Sequence, residues 1–324
     1  MVAKKKDDKV KDDYFEMIEG SVPKGYKADF DESLFNSETH RKLQSDKGWH
    51  SFHLLRKDKK KVLGSIHFCV SNAEAVSPKR APFGSFELSS LITTSQLYEL
   101  IGFFEKKLKK KGVNRVQIKS YPAYYNINSH NILTVLLSNH QYNIINAELG
   151  ACIRIGDGNF EDRIDGWEKR KLKQSIKADL RFKVIPIKGI EDTYRFISWC
   201  RKERGHQLSM SYEDLEKTVK LLKGHFVLFG VYQVEQLVAA SISIRVNHKV
   251  LYNFYSAHSK SANAYSPVVF LIGEMYAWCQ THHVTLLDLG TSAWDGVPNF
   301  SLIDFKLRLG GVPAMKLTFE KELL

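Results

Sequence analysis

The sequence predicts an α/β protein with mixed (α+β) sheets, laid out as two related domains in tandem. Three observations lead there. Segments of helical period alternate with short strand-like runs along the whole chain. The two halves repeat one order of elements: helical material, a hairpin or meander, a helix, then a strand. The length, 324 residues, suits two domains of ordinary size, and 43% hydrophobic with 26% charged residues is a globular composition that excludes collagen, coiled coil and disorder throughout.

Nine of residues 1–13 are Lys or Asp, which predicts a disordered tail ahead of two domains, 14–158 and 159–324. Ser37 and Glu38 start a short helix to Leu43. Strands at 51–56 and 62–70 flank the charged turn at 57–60, and Pro and Gly mark 77–84 as a loop. Leu97, Leu100, Ile101, Phe104 and Leu108 recur at helical spacing, which predicts a helix over 95–111 ending before Gly112. A strand at 115–119, a helix near 131–139 and a strand at 144–155 complete the first half.

The second half opens on a basic amphipathic segment, 167–181, in which Trp167, Leu172, Ile176 and Leu180 can share one helix face and the Lys and Arg residues point outward. Helices over 191–201 and 212–223 precede strands at 226–232, 237–246 and 250–257. A long helix over 266–282, a strand at 285–289, a short helix at 301–309 and a strand at 314–319 follow. The phrase Val62-Leu63-Gly64-Ser65-Ile66 holds the place that Leu237-Val238-Ala239-Ala240-Ser241-Ile242 holds in the second half.

Lys and Arg number 48 against 36 Asp and Glu, a formal charge of +12 that admits an anionic partner without naming one. Cys69, Cys152, Cys200 and Cys279 are far apart, form no C-x-x-C pair and sit among apolar residues, as buried structural thiols do. No run of apolar residues approaches a membrane span, and the first residues lack a signal peptide's apolar region, so a cytoplasmic protein is expected. No metal-ligand spacing, P-loop or nucleophile elbow occurs, and no metal is expected.

The second half also carries the phrases LVAASISI, LYNFYSAHS, YSPVVFLIGEMYAW, LLDLGTS and DFKLRLGG, and the first half APFGSFEL and SYPAYYN. In these the chain, from about residue 30 to 324, resembles the GNAT superfamily of acyltransferases, in its FemAB-like branch of two tandem GNAT-type domains. The resemblance implies transfer of an acyl or aminoacyl group from an activated donor to an amine-bearing acceptor. GNAT acetyltransferases usually hold the coenzyme A pyrophosphate on a Gly-rich loop at the start of the central helix. Here Ser261-Ala262-Asn263-Ala264-Tyr265-Ser266-Pro267 stands in that place, and FemAB-like members often have the same Tyr-Ser-Pro start. Some of them take the activated group from aminoacyl-tRNA.

Chemistry selects the candidate residues. An amine must be neutral to attack a thioester or ester, and the tetrahedral oxyanion needs donors. Lys306, in the Phe-Lys phrase of the resemblance, is the cationic candidate for phosphate binding or charge stabilisation. Asp288 can orient or deprotonate the amine, or simply start the turn at Gly290. Tyr255 can donate to an oxyanion or pack in the sheet. Ser266 as N-cap, Pro267 at the first helical position and Tyr265 before them offer a helix start to a phosphate or carboxylate of the donor. His258 is a loop histidine that can serve as a base, and His282 and His283 suit a helix C-terminus. The basic segment 167–183 is either a solvated face or a phosphate-contacting one.

Three functions are compatible with this reading. The first is an N-acyltransferase with acyl-CoA, or a similar activated donor, as co-substrate. The second is an aminoacyl-tRNA-dependent aminoacyltransferase that binds tRNA and acts on a cell-wall precursor. The third is a non-catalytic module that keeps the fold and binds an anion or nucleic acid.

Overall fold

The computed structural model describes residues 14–294 and 296–323, so the expected tail, 1–13, lies outside the described residues. The chain forms two compact units: Met1–Ala147 with Met315–Leu324, and Glu148–Ala314. The sequence places the division at 158/159. The contacts place it at 147/148 and return the last ten residues to the first unit.

In the first unit the strands are β1 (Phe15–Glu19), β2 (Lys27–Ala28), β3 (Trp49–Arg56), β4 (Lys61–Ser71), β5 (Glu74–Ser77), β6 (Glu87–Leu88) and β7 (Arg115–Lys119). The helices are α1 (Glu38–Gln44), α2 (Thr94–Lys110) and α3 (Ile127–Asn139). The strands order as β1-β3-β4-β5-β7, with β2 and β6 also on β4. Antiparallel β3, β4 and β5 form a meander, and β7 lies parallel to β5 after the crossover through α2. The strand Val312–Glu322 then pairs antiparallel with β7, Phe319 opposite Ile118. Helix α2 starts on a capping box, Thr93 with Gln96, and buries the five apolar residues whose spacing predicts it. Phe104 on this helix meets the rings of Phe52, Phe68 and Phe86.

The second unit repeats the plan. Its elements are β8 (Asn143–Arg154), α4 (Gly166–Lys177), β9 (Leu180–Ile185), α5 (Ile190–Lys202), α6 (Tyr212–Leu221), β10 (Phe226–Gln233), β11 (Gln236–Arg245), β12 (Val250–His258), α7 (Pro267–Thr281), β13 (Leu286–Thr291) and α8 (Phe300–Arg308). Its strands run in the order β8-β13-β12-β11-β10-β9. Again a meander, β10-β11-β12, is followed by a helix, α7, and a strand parallel to the meander's last member. The two matching phrases sit on β4 and β11, the central strands of their meanders. The halves exchange one strand each: β8, which follows α3, pairs with β13, and 315–322 go to β7.

Helix α7 is apolar nearly all round and buries Val269, Phe270, Leu271, Ile272, Met275, Tyr276 and Cys279, as a central helix must. The Tyr276 hydroxyl donates to the carbonyls of Gly156 and Gly158, both at 3.1 Å, so its polar end is satisfied in the core. All four cysteines are buried thiols.

Helix α4 departs from its apolar pattern. Trp167 and Ile176 are 57% and 59% exposed, while Glu168 and Ser175 are fully buried. The inward face is set by polar bonds. Ser175 Oγ donates to the Tyr265 carbonyl at 2.6 Å, and Glu168 Oε1 accepts from Arg308 and Lys171 at 3.0 and 3.1 Å. The helix also stops earlier than its apolar spacing suggests: Asp179 takes a left-handed conformation (φ 51°), and Leu180 begins β9.

Candidate functional site

The second unit contains a cavity of about 710 Å³ where β12 and β13 part. The two strands pair in parallel only at Val250, Leu251 and Tyr252 with Leu286, Leu287 and Asp288. Beyond that register β12 runs on to His258 and β13 to Thr291 without each other. The gap is lined from below by these strand ends, from one side by the start of α7 at Ser266–Val269, and from the other by α8. Strand backbones that separate leave groups for a ligand to pair with, and the helix start adds free amides and a positive dipole end.

Lys306 is the centre of this site. It projects from α8, is 6% exposed, and donates from Nζ to the carbonyls of Gly290 and Thr291 at 2.9 and 2.8 Å. An ammonium has three donors, so one remains for a ligand. Burial pushes its pKa down to about 8, with Arg201 adding to the fall and Asp288 opposing it. Asp288 is also buried, and its Oδ1 accepts from the Gly290 amide at 2.7 Å. Gly290 has φ +74°, and a Cβ there would meet the Tyr252 ring at 3.3 Å, so glycine is needed at this turn. Asp288 thus shapes the turn whose carbonyl holds Lys306.

Two arginines, Arg201 on the last turn of α5 and Arg204 just beyond it, complete the wall. Arg201 Nη2 donates to the Ser256 carbonyl at 3.1 Å, and Arg204 Nη1 to the His258 carbonyl at 2.9 Å. Arg204 Nη2 lies 3.1 Å from His258 Nε2. Burial first and Arg204 second hold the His258 pKa below its ordinary value, which keeps the ring neutral at pH 7. Lys171 reaches the cavity from α4. Among the described residues the lining holds Lys171, Arg201, Arg204 and Lys306 and no carboxylate.

The other sequence candidates are placed differently. Tyr255 does not line the cavity: its hydroxyl lies 2.6 Å from Ser209 Oγ and its ring stacks on Phe254 at 3.9 Å, so it serves packing. Tyr265 also lies outside the lining; it packs against the core and lends its carbonyl to Ser175. Ser266 lines the cavity but does not cap α7 as expected. It sits in the left-handed region (φ 50°, ψ 48°), and its side chain makes no cap bond. Sequence reasoning missed Arg201 and Arg204, because a helix C-terminus already accounts for basic residues. Their three-residue spacing, across the last turn of α5 and the turn that follows it, was the available signal.

Residues 168–300 match a family model described as "Acetyltransferase (GNAT) domain". Among solved structures the chain is similar to FemX at 11% identity, with 94% of this chain and 96% of that one covered and a TM-score of 0.67. It is also similar to a tandem GNAT protein from the clavulanic acid biosynthesis pathway (8% identity, 96% and 99% covered, TM-score 0.52). The chain carries the tandem GNAT fold. A third likeness is to the C-terminal domain of a candidate lysylphosphatidylglycerol synthetase from Agrobacterium fabrum (11% identity, 88% and 87% covered, TM-score 0.54). No curated protein matches significantly. The GNAT fold and the FemAB-like plan expected from the sequence phrases are therefore borne out. Among the described residues no helix is long and apolar enough to cross a membrane.

Proposed function

We propose that the second unit is an N-acyltransferase site that takes an acyl group from an anionic activated donor of the acyl-CoA class and passes it to an amine. The observation that carries this reading is the cavity between β12 and β13, with four cationic side chains, no carboxylate among the described lining residues, and the start of α7 at its edge. A donor with a phosphorylated handle meets opposite charge along this wall. The free donor of Lys306 then faces the acyl carbonyl. In the transfer the amine nitrogen attacks the carbonyl carbon, the carbon–sulfur bond breaks, and the proton released by the amine balances the departing thiolate. Lys306 stabilises the oxyanion formed between these two events. Neutral His258 lines the same cavity and can accept a proton during transfer.

Aminoacyl-tRNA as donor is the second reading. It is favoured by the segment Lys260–Tyr265, a 3-10 turn with Ala262 buried and no glycine, where the GNAT pattern places a Gly-rich pyrophosphate loop. The experiment is a donor screen on the full chain by thermal shift. Acyl-CoA at about 100 times its Kd should add about 2.7 kcal/mol of stability by mass action. No shift at millimolar CoA, together with tight tRNA binding that weakens steeply with salt, would transfer the assignment to the second donor. Binding of neither donor would leave the non-catalytic reading.

A further inference from the structure

The first unit holds a second cavity, of about 820 Å³, on the face of its sheet opposite α2. Strand alternation builds it. Phe52, Leu54, Ile66 and Phe68 turn to the apolar core, so Ser51 and His53 on β3 and Ser65 and His67 on β4 turn the other way. His53 stands directly opposite Ser65, and Ser65 opposite Glu87 on β6, which makes a polar row across three strands.

The polar row is tied down except at three points. His53 Nε2 lies 3.1 Å from the Gly20 carbonyl, so it carries the proton and leaves Nδ1 to accept from Ser65 Oγ at 2.7 Å. His67 Nδ1 lies 2.8 Å from Ser51 Oγ, but among the described residues its Nε2 has no partner although the residue is only 7% exposed. Arg41 spends Nη1 on the Asn36 carbonyl and lies over Trp49; among the described residues no carboxylate comes within ion-pair distance of its guanidinium, though Glu87, Glu38 and Glu32 act on it from further off. Glu87 Oε1 accepts the Ser33 amide at 2.5 Å and the carboxyl also takes a hydrogen bond from the Asn36 side chain, while among the described residues no cation lies within ion-pair distance of it. At the rim, by contrast, Glu38 pairs with Lys42, and Glu19 with Lys111 and His50.

We infer that this cavity binds a free α-amino acid or a closely similar zwitterion, its carboxylate on Arg41, its ammonium on Glu87, and His67 Nε2 completing the set. Arg41 and Glu87 face one cavity, feel each other's charge without coming within ion-pair distance, and each bears a desolvation cost. A neutral ligand such as a sugar would strip water from both without returning charge. A ligand with a single charge would compensate one and leave the other with only its more distant partner. A zwitterion compensates both, and a guanidinium fork with free donors suits a carboxylate. Burial, reinforced by Glu32 and opposed by Ser33, Asn36 and Arg41, raises the Glu87 pKa to about 7, so an ammonium beside it restores the ionised carboxylate.

The proposal is independent of the donor chemistry in the second unit. The test is calorimetric titration of the full chain with each of the twenty L-amino acids, with the amide and the deaminated acid of any that binds, and with glucose. At least one amino acid should bind with Kd of about 1 mM or tighter. Removing either ligand charge should weaken it by about tenfold or more. Glu87→Gln, which keeps an oxygen for Ser33, and Arg41→Lys, which keeps charge but loses the fork, should each weaken it likewise. Lys306→Met should leave it intact, which separates this site from the donor cavity. Binding of no amino acid, equal binding of glucose, or binding unaffected by Glu87→Gln in a chain that retains its melting temperature would overturn the proposal.

Discussion

Lys306 pays for its position in stability, and that gives a test with opposite signs for folding and transfer. Its folded pKa, about 8, lies below the ordinary lysine value of 10.5. Between those pH values the unfolded chain binds more protons, so the stability linked to this residue is present above pH 10.5 and is lost as pH falls through 8. A shift of this size is worth about 3 kcal/mol at pH 7. Lys306→Met should therefore leave the urea midpoint at pH 7 unchanged or higher, while kcat/KM falls by about 100-fold, the order expected for a lost oxyanion donor. In the parent, transfer should decline above pH about 8 as the ammonium deprotonates, and in Lys306→Arg the decline should move to higher pH. A pH profile identical in the two proteins would remove Lys306 from the chemistry. Lys306 was legible because a short phrase carried it. The αL backbone of Ser266 was not, since its neighbour Pro267 and its own hydroxyl both spell an ordinary cap.

At the scale of elements, helix α2 separates the work of its cap from that of its buried face. The Thr93 side chain accepts the Gln96 amide at 3.2 Å, and Gln96 Oε1 accepts the Thr93 amide at 3.1 Å. Thr93→Ala should cost about 1 kcal/mol. Phe104→Ala, which empties a fully buried site among three phenylalanines, should cost about 3 to 5 kcal/mol. Urea denaturation measures both, and a larger loss at Thr93 would contradict the packing described. The same helix was readable in sequence because apolar spacing and burial agree there. Helix α4 was only half readable. Its inward face is Glu168 and Ser175, and a hydrophobic pattern has no mark for a buried side chain held by Arg308 or by the Tyr265 carbonyl. Leu180 fitted the helical period by coincidence, and the turn at Asp179 gave no glycine to betray it.

For the whole molecule, the repeat of meander, helix and parallel strand was visible as an order of elements, but the strand exchange was not. Nothing local in 143–154 or 312–322 says which sheet a strand will join, because either edge accepts an alternating apolar strand. The exchange predicts the outcome of cutting the chain. Residues 14–158 made alone lack the partner of β7, and residues 159–324 made alone lack β8. Each fragment should be insoluble or poorly folded by circular dichroism, and coexpression should recover a soluble pair. Two independently stable fragments would refute the topology.

The same exchange orders events during synthesis. When the ribosome has made the first 158 residues, β7 still shows an open edge through Val116 and Ile118. That edge waits until Phe319 emerges, after the whole second unit has been translated. The second unit lacks its final residues until 314 and the first until about 322, so the two close almost together.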